Sequence, residues 1–205
     1  TGIAGGLLVD TTHHEEMITW HWKLDQPIPT YLASVAAGNY ALTASDYQGM
    51  QEQLPITIYT RPADTNKVAG SFLHLPEILT IFENRYGPYP FDRIGYTGTA
   101  IGAMEHVTNI AYPHSAINGN LGSEYLLAHE LSHMWFGNQV TCAIAEEMWL
   151  NEGWATSCHH FFKHDLYSPE VYLAEMYETH YDVIRNAHIS DGGYYALNNV
   201  PTSHT

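Results

Sequence analysis

His129-Glu130-Leu131-Ser132-His133 sets two imidazoles four residues apart around a carboxylate. On an α-helix, residues i and i+4 share a face, so both rings can reach one metal ion. Zinc takes such nitrogens at about 2.0–2.1 Å and, in a catalytic site, wants a third protein ligand and one open position. Glu130, one residue after the first His, can lean over that position and take a proton from water. In a chain with 14 His among 205 residues, the pattern arises by chance about 6% of the time, so a third ligand has to decide it. Glu152 offers one, with 18 residues between it and His133, within Trp149-Leu150-Asn151-Glu152-Gly153-Trp154. Requiring Glu at that single place lowers the chance to well under about 1%. The set predicts one Zn2+ per chain on His129, His133 and Glu152, with Glu130 as general base.

These side chains need helices to hold them. Ser123 is a candidate N-cap for a helix predicted over 124–136, closed by Gly137-Asn138. A second helix, predicted over 145–164, carries Glu152 and can pack against the first. Ser168-Pro169-Glu170 starts a third, predicted to reach Asn186. Upstream, Leu75, Ile78, Leu79 and Phe82 at 3 and 4 spacing predict a helix within 64–86. Pro76 either interrupts it or restarts it as a first-turn residue, and Gly87-Pro88-Tyr89-Pro90 stops it. Strand-favouring runs lie at 11–24, 30–35, 55–60, 93–97 and 108–112, the last two flanking a loop around Gly102. The tail, with Gly192-Gly193, Asn198-Asn199 and Pro201, shows no clear element.

Charge narrows the partners. With 22 acidic residues, 7 Lys plus Arg and a formal net charge of -15, the chain is a poor match for nucleic acid or an anionic membrane surface. From His129 to Asp182 there are nine acidic residues and one Lys, a local surplus that favours bound cations. No apolar run approaches the length of a membrane span. Cys142 and Cys158 are too few for a disulfide scaffold. The chain opens on Thr1 rather than Met and reads as a segment of a longer protein, so the lack of a visible signal peptide carries no information. The compartment stays unknown, with little Lys and many Tyr, Gly and Asn leaning toward an envelope or secreted protein.

HELSHMWFGNQVT followed by WLNEGWAT resembles the zinc-binding region of the aminopeptidase N and leukotriene hydrolase family of gluzincin metallopeptidases. Gly102-Ala103-Met104-Glu105-His106 resembles that family's GAMEN exopeptidase motif, and Pro29-Thr30-Tyr31-Leu32 and Tyr86-Gly87-Pro88-Tyr89-Pro90-Phe91 are also similar. The likeness runs from about residue 12 to about 180. It implies an α+β, thermolysin-like fold, with a mixed sheet followed by zinc-binding helices. Residues 1–52 would be the trailing strands of a preceding β-domain. Residues 53–205 would be a C-terminally incomplete catalytic domain.

The resemblance also implies a zinc-dependent aminopeptidase that removes N-terminal residues from peptides. Glu105 would bind the free amino group, and Gly102, Ala103, Met104 and His106 would line the substrate. His106 stands where the motif has Asn. Glu147 and Asn151 are candidate outer partners of the zinc-binding imidazoles, Glu147 reading equally well as a solvated helix charge. The family's oxyanion-stabilising Tyr, some sixty positions after the Glu ligand, would fall beyond Thr205, since Tyr194 and Tyr195 come too early. Such a segment is expected to bind zinc yet turn over slowly. A thermolysin-like endopeptidase and a non-catalytic zinc module are the alternatives, and Glu105 discriminates the first of them. Trp135, Phe136, Trp149 and Trp154 are predicted to pack the two zinc helices together. His13, His14, His159, His160 and His164 are expected to be solvated or packed.

Overall fold

The computed structural model describes residues 1–187 and Ile189. The tail read above as lacking elements, with Tyr194 and Tyr195, lies outside the described residues. Eight strands precede the two site helices. They are β1 (Gly2–Ala4), β2 (Leu7–His14), β3 (Met17–Lys23), β4 (Val35–Ala37), β5 (Ala41–Gln48), β6 (Gln53–Thr60), β7 (Ile94–Thr99) and β8 (Ile110–Pro113). The helices are α1 (Val68–Ser71), α2 (Leu75–Tyr86), α3 (Glu124–Ser132), α4 (Met148–Leu166) and α5 (Pro169–Asp182). The architecture is α+β.

A four-stranded mixed sheet, ordered β5-β6-β7-β8, forms the floor. β5 and β6 are antiparallel, and β6, β7 and β8 run parallel. The β6–β7 connection is the helical segment α1–α2, as parallel neighbours require a crossover. The sheet is continuous across residues 52 and 53, since Gln48 pairs with Gln53 at the β5–β6 turn. β7 is buried along almost its whole length, so its residues read as a continuous apolar-and-Gly run rather than an alternation.

The apolar stripe of α2 is the one the spacing predicts. Leu75, Ile78, Leu79 and Phe82 are all buried, and each such side chain contributes roughly 1.5–3 kcal/mol on leaving water. Pro76 sits in the first turn of α2, where its missing N–H costs nothing. The predicted 64–86 helix is therefore broken into a 3₁₀ segment Pro62–Lys67, the short α1, and α2.

The first forty residues are arranged differently. The run at 11–24 belongs to a hairpin of β2 and β3, turning at Glu15-Glu16 with Glu15 in the left-handed region at φ 53. Every residue of β2 is exposed. Arg93 is one of the buried side chains that tie this region to the rest of the chain. Arg93 Nη1 donates to Thr57 Oγ1 at 2.8 Å, Nη2 donates to the Ala4 carbonyl at 2.6 Å, and its guanidinium lies 4.6 Å from the Trp22 ring centre.

Candidate active site

Helix α3 is placed by the sheet. The Tyr112 hydroxyl, from β8, donates to the Ser123 carbonyl at 3.0 Å. Ser123 itself makes no side-chain cap. Asn120 does the capping one turn earlier, accepting from Gly122 N at 2.8 Å. α3 ends at Ser132 rather than Phe136. Past that point the chain tightens into i→i+3 bonds, Met134 N to Leu131 O and Trp135 N to Ser132 O, both 3.1 Å. His133 keeps helical dihedrals as the C-cap, so the i, i+4 relation with His129 survives. Gly137 follows at φ 132, and a Cβ there would stand 2.8 Å from His133 Nδ1. Only glycine lets the chain fold back this close to the imidazole.

Three donor atoms converge between α3 and α4. His129 Nε2 lies 3.2 Å from Glu152 Oε2, His133 Nε2 lies 3.6 Å from the same oxygen, and the two Nε2 atoms are 3.2 Å apart. Among the described residues this is the one gathered set of three or more metal-ligating side chains. Adjacent ligands on a tetrahedral ion with bonds of about 2.0–2.1 Å are about 3.3–3.4 Å apart, so the observed edges fit zinc. The tautomer fits as well. His133 Nδ1–H donates to the Phe136 carbonyl at 3.0 Å, which leaves its Nε2 lone pair facing the other donors. Burial pushes the Glu152 carboxyl up, but hydrogen bonds with His129 and His133 outweigh it and hold it well below the usual range.

Glu130 stands beside this set, 6% exposed, with Oε2 buried and unpaired. Burial above all pushes its carboxyl up to about 8, with Glu105 and Glu152 adding to the effect and His133 opposing it. A buried, unpaired carboxylate beside the donor set is placed to act as a general base. Glu105 is 5% exposed, and among the described residues no side chain donates to or ion-pairs with its carboxylate.

The segment carrying Glu105 is held as a short antiparallel addition to the β8 edge. Met104 N donates to the Ala111 carbonyl at 3.1 Å, and Ala111 N returns to the Met104 carbonyl at 2.9 Å. Asn138 Nδ2 donates to the Glu105 carbonyl at 2.7 Å, tying the segment to the end of the zinc-motif helix. Two residues past His106, Thr108 is buried at φ 56, a costly conformation for a β-branched residue. Gly95 makes room for it, since a Cβ there would meet the Thr108 carbonyl at 1.9 Å. Gly102, at φ 104, and Ala103 leave their backbone partly accessible beside this edge. The His106 ring is half-buried with Nδ1 unpaired, and burial lowers its proton affinity.

Several expected partners sit elsewhere. Glu147 Oε2 accepts from Trp149 Nε1 at 2.7 Å, and the Asn151 amide faces Thr141 Oγ1 at 3.4 Å and Met148 Sδ at 3.3 Å. The group that orients His133 is instead a backbone carbonyl, that of Phe136. Of the four aromatics predicted to join the helices, Phe136 and Trp154 do so, stacked at 5.0 Å. Trp135 turns to α2 and the following loop, packing on Phe82 and donating Nε1 to the Gly87 carbonyl at 3.0 Å. Trp149 is half-exposed. Spacing missed Asn138 and Tyr31. The Tyr31 hydroxyl meets Thr141 Oγ1 at 3.0 Å and the Gly137 carbonyl at 3.4 Å, within electrostatic reach of Glu105 and Glu152.

The profile described as Peptidase family M1 domain matches residues 72–192, more than half of the chain, so the chain belongs to peptidase family M1. It is 31% identical over 150 residues to human "Aminopeptidase RNPEPL1", covering 71% of this chain and 20% of that protein. It is 33% identical over 135 residues to dog "Aminopeptidase N", covering 57% of this chain and 14% of that protein. The chain thus spans about a fifth, or less, of these relatives' length. A variant of an M1 zinc metallopeptidase from Deinococcus radiodurans, bound to a Tyr-Ser-Ala substrate, shares the fold. The match has a TM-score of 0.80 at 22% identity and covers 91% of this chain and 42% of that one. Among the described residues, no helix is long and apolar enough to cross a membrane.

Proposed function

We propose that this chain carries the zinc-binding and substrate-binding centre of an aminopeptidase, which removes the N-terminal residue of a peptide. The convergence of His129, His133 and Glu152 beside the buried, unpaired Glu130 carries this reading. His129 Nε2, His133 Nε2 and Glu152 Oε2 would hold one Zn2+ per chain. When bound, that ion supplies Lewis acidity toward the scissile carbonyl and the attacking water. Glu130 takes the proton from that water and delivers it to the leaving amine.

Glu105 supplies the selection for a free N-terminus. An ammonium group is the natural partner of a carboxylate that has no side-chain partner among the described residues. The partly accessible backbone of Gly102 and Ala103 can pair with an extended peptide laid beside this segment. Met104 and His106 flank that path.

Hydrolysis of alanine or leucine anilides by protein carrying this segment, alongside the N-acetylated forms, tests the reading. Glu105→Gln is expected to weaken cleavage of free-amine substrates at least tenfold, mostly through KM. Equal rates for wild type and Glu105→Gln would overturn the exopeptidase assignment.

A further inference from the structure

Two turns beyond Glu152, α4 presents a second pair of imidazoles. The ring centres of His159 and His160 are 4.2 Å apart. His160 is 6% exposed, and its Nδ1 is buried without a hydrogen-bond partner, as is Nδ1 of His159. Both residues line a cavity of about 670 Å³ between α3, α4 and α5, with Tyr125, Lys163, Glu175 and Glu178 on its other walls. Glu175 Oε2 stands 3.4 Å from His160 Nδ1, too long and too misdirected for a good hydrogen bond. That distance nevertheless falls within the 3.2–3.6 Å that separates the donors of the first site.

We propose that this cavity is a second divalent-cation site, in which His160 Nδ1 and Glu175 bind a transition ion of the Zn2+, Mn2+ or Co2+ class. A buried imidazole nitrogen without a partner costs free energy that a cation would recover. Imidazole with carboxylate selects borderline transition ions over Ca2+ and Mg2+. Glu178 lies one helical turn after Glu175 and is exposed, so its carboxylate can swing in, and rotation of His159 completes the set. Lys163 shares the cavity but is drawn to Glu124, with Nζ 3.2 Å from Oε2. Because these donors are not already gathered, the site binds more weakly than the first.

The proposal stands apart from the aminopeptidase reading, and calorimetric titration of the chelator-stripped chain with Zn2+ and with Co2+ tests it. Wild type is expected to take a tight and a weaker equivalent. The double variant Glu175→Gln, Glu178→Gln, on a helix with no buried residue, should weaken the second at least tenfold and leave the first. Glu152→Gln should do the reverse, and Ca2+ should compete with neither. A wild type without the weaker equivalent would overturn the site. So would a weaker equivalent unchanged in both the double variant and His160→Asn, which would assign it to surface histidines. Failure of the first site alone would appear as a missing tight equivalent with the weaker one intact.

Discussion

Near its start α4 brings Glu152 to His129 and His133, and two turns later it brings His160 to Glu175, with His159 beside it. The residue types are the same, yet only the first cluster has three donors in place. The difference lies in what holds the backbones. His129 and His133 share one face of α3, the Phe136 carbonyl fixes the His133 ring, and Phe136 stacks on Trp154 of α4. The second cluster depends on α5, a helix capped by Ser168, with Oγ accepting from Val171 N at 3.3 Å, but burying none of its side chains. Preorganisation, rather than composition, separates a ready metal centre from a cluster that a cation must assemble.

The largest expected effect comes from the base at the ordered end. Glu130→Gln should lower peptide hydrolysis by about 10²–10⁴, the usual worth of a positioned acid–base group, while leaving metal binding intact. Loss of metal together with rate would mean that Glu130 supports the donor set rather than the chemistry.

A middle-sized effect is expected where the two clusters touch. Tyr125 and His129 of α3 face the His159 ring from one side, and His160 and Lys163 lie beside it on α4. Burial first, then His160 and His129, pushes the His159 imidazole down to about 3, against an ordinary value near 6.5. Folded protein therefore takes up this proton later than unfolded chain. The contribution is fully present above about pH 6.5 and is lost as pH falls toward about 3. His159→Gln should flatten that part of a plot of Tm against pH, and an unchanged plot would show that the ring is not held neutral.

The smallest effect probes the far end of α4, pinned to α2 by Arg85 and Asp165. Arg85 Nε lies 2.6 Å from Oδ2 and Nη2 lies 2.8 Å from Oδ1, both side chains being partly exposed. Asp165→Asn should cost about 0.5 kcal/mol in urea unfolding, within the range of exposed ion pairs. A loss several times larger would show that the C-terminal half of α4 is more firmly held than its neighbours suggest.

Much of the centre was legible because its signals are local. The i, i+4 histidines, the Glu on the following helix and the stripe of α2 each follow from helical periodicity. What periodicity does not carry is contact between distant segments. Asn138 was readable as the end of a helix but not as the donor to Glu105. Trp135 was readable as buried but not as belonging to α2. The Phe136 carbonyl that holds His133 is backbone, invisible to residue type. The β2–β3 turn escaped because Glu15-Glu16 lacks the Asn or Gly that usually marks a left-handed position. Glu175 lies 15 positions after His160, and only the packing of α5 on α4 brings them together.

The central claim is that His129, His133 and Glu152 hold a metal ion. Elemental analysis of the zinc-exposed and desalted chain, beside Glu152→Ala and His133→Ala, tests it most directly. One tightly retained zinc per wild-type chain, absent from both variants, is the predicted result. A wild type that retains none, or variants that retain as much as it does, would contradict it.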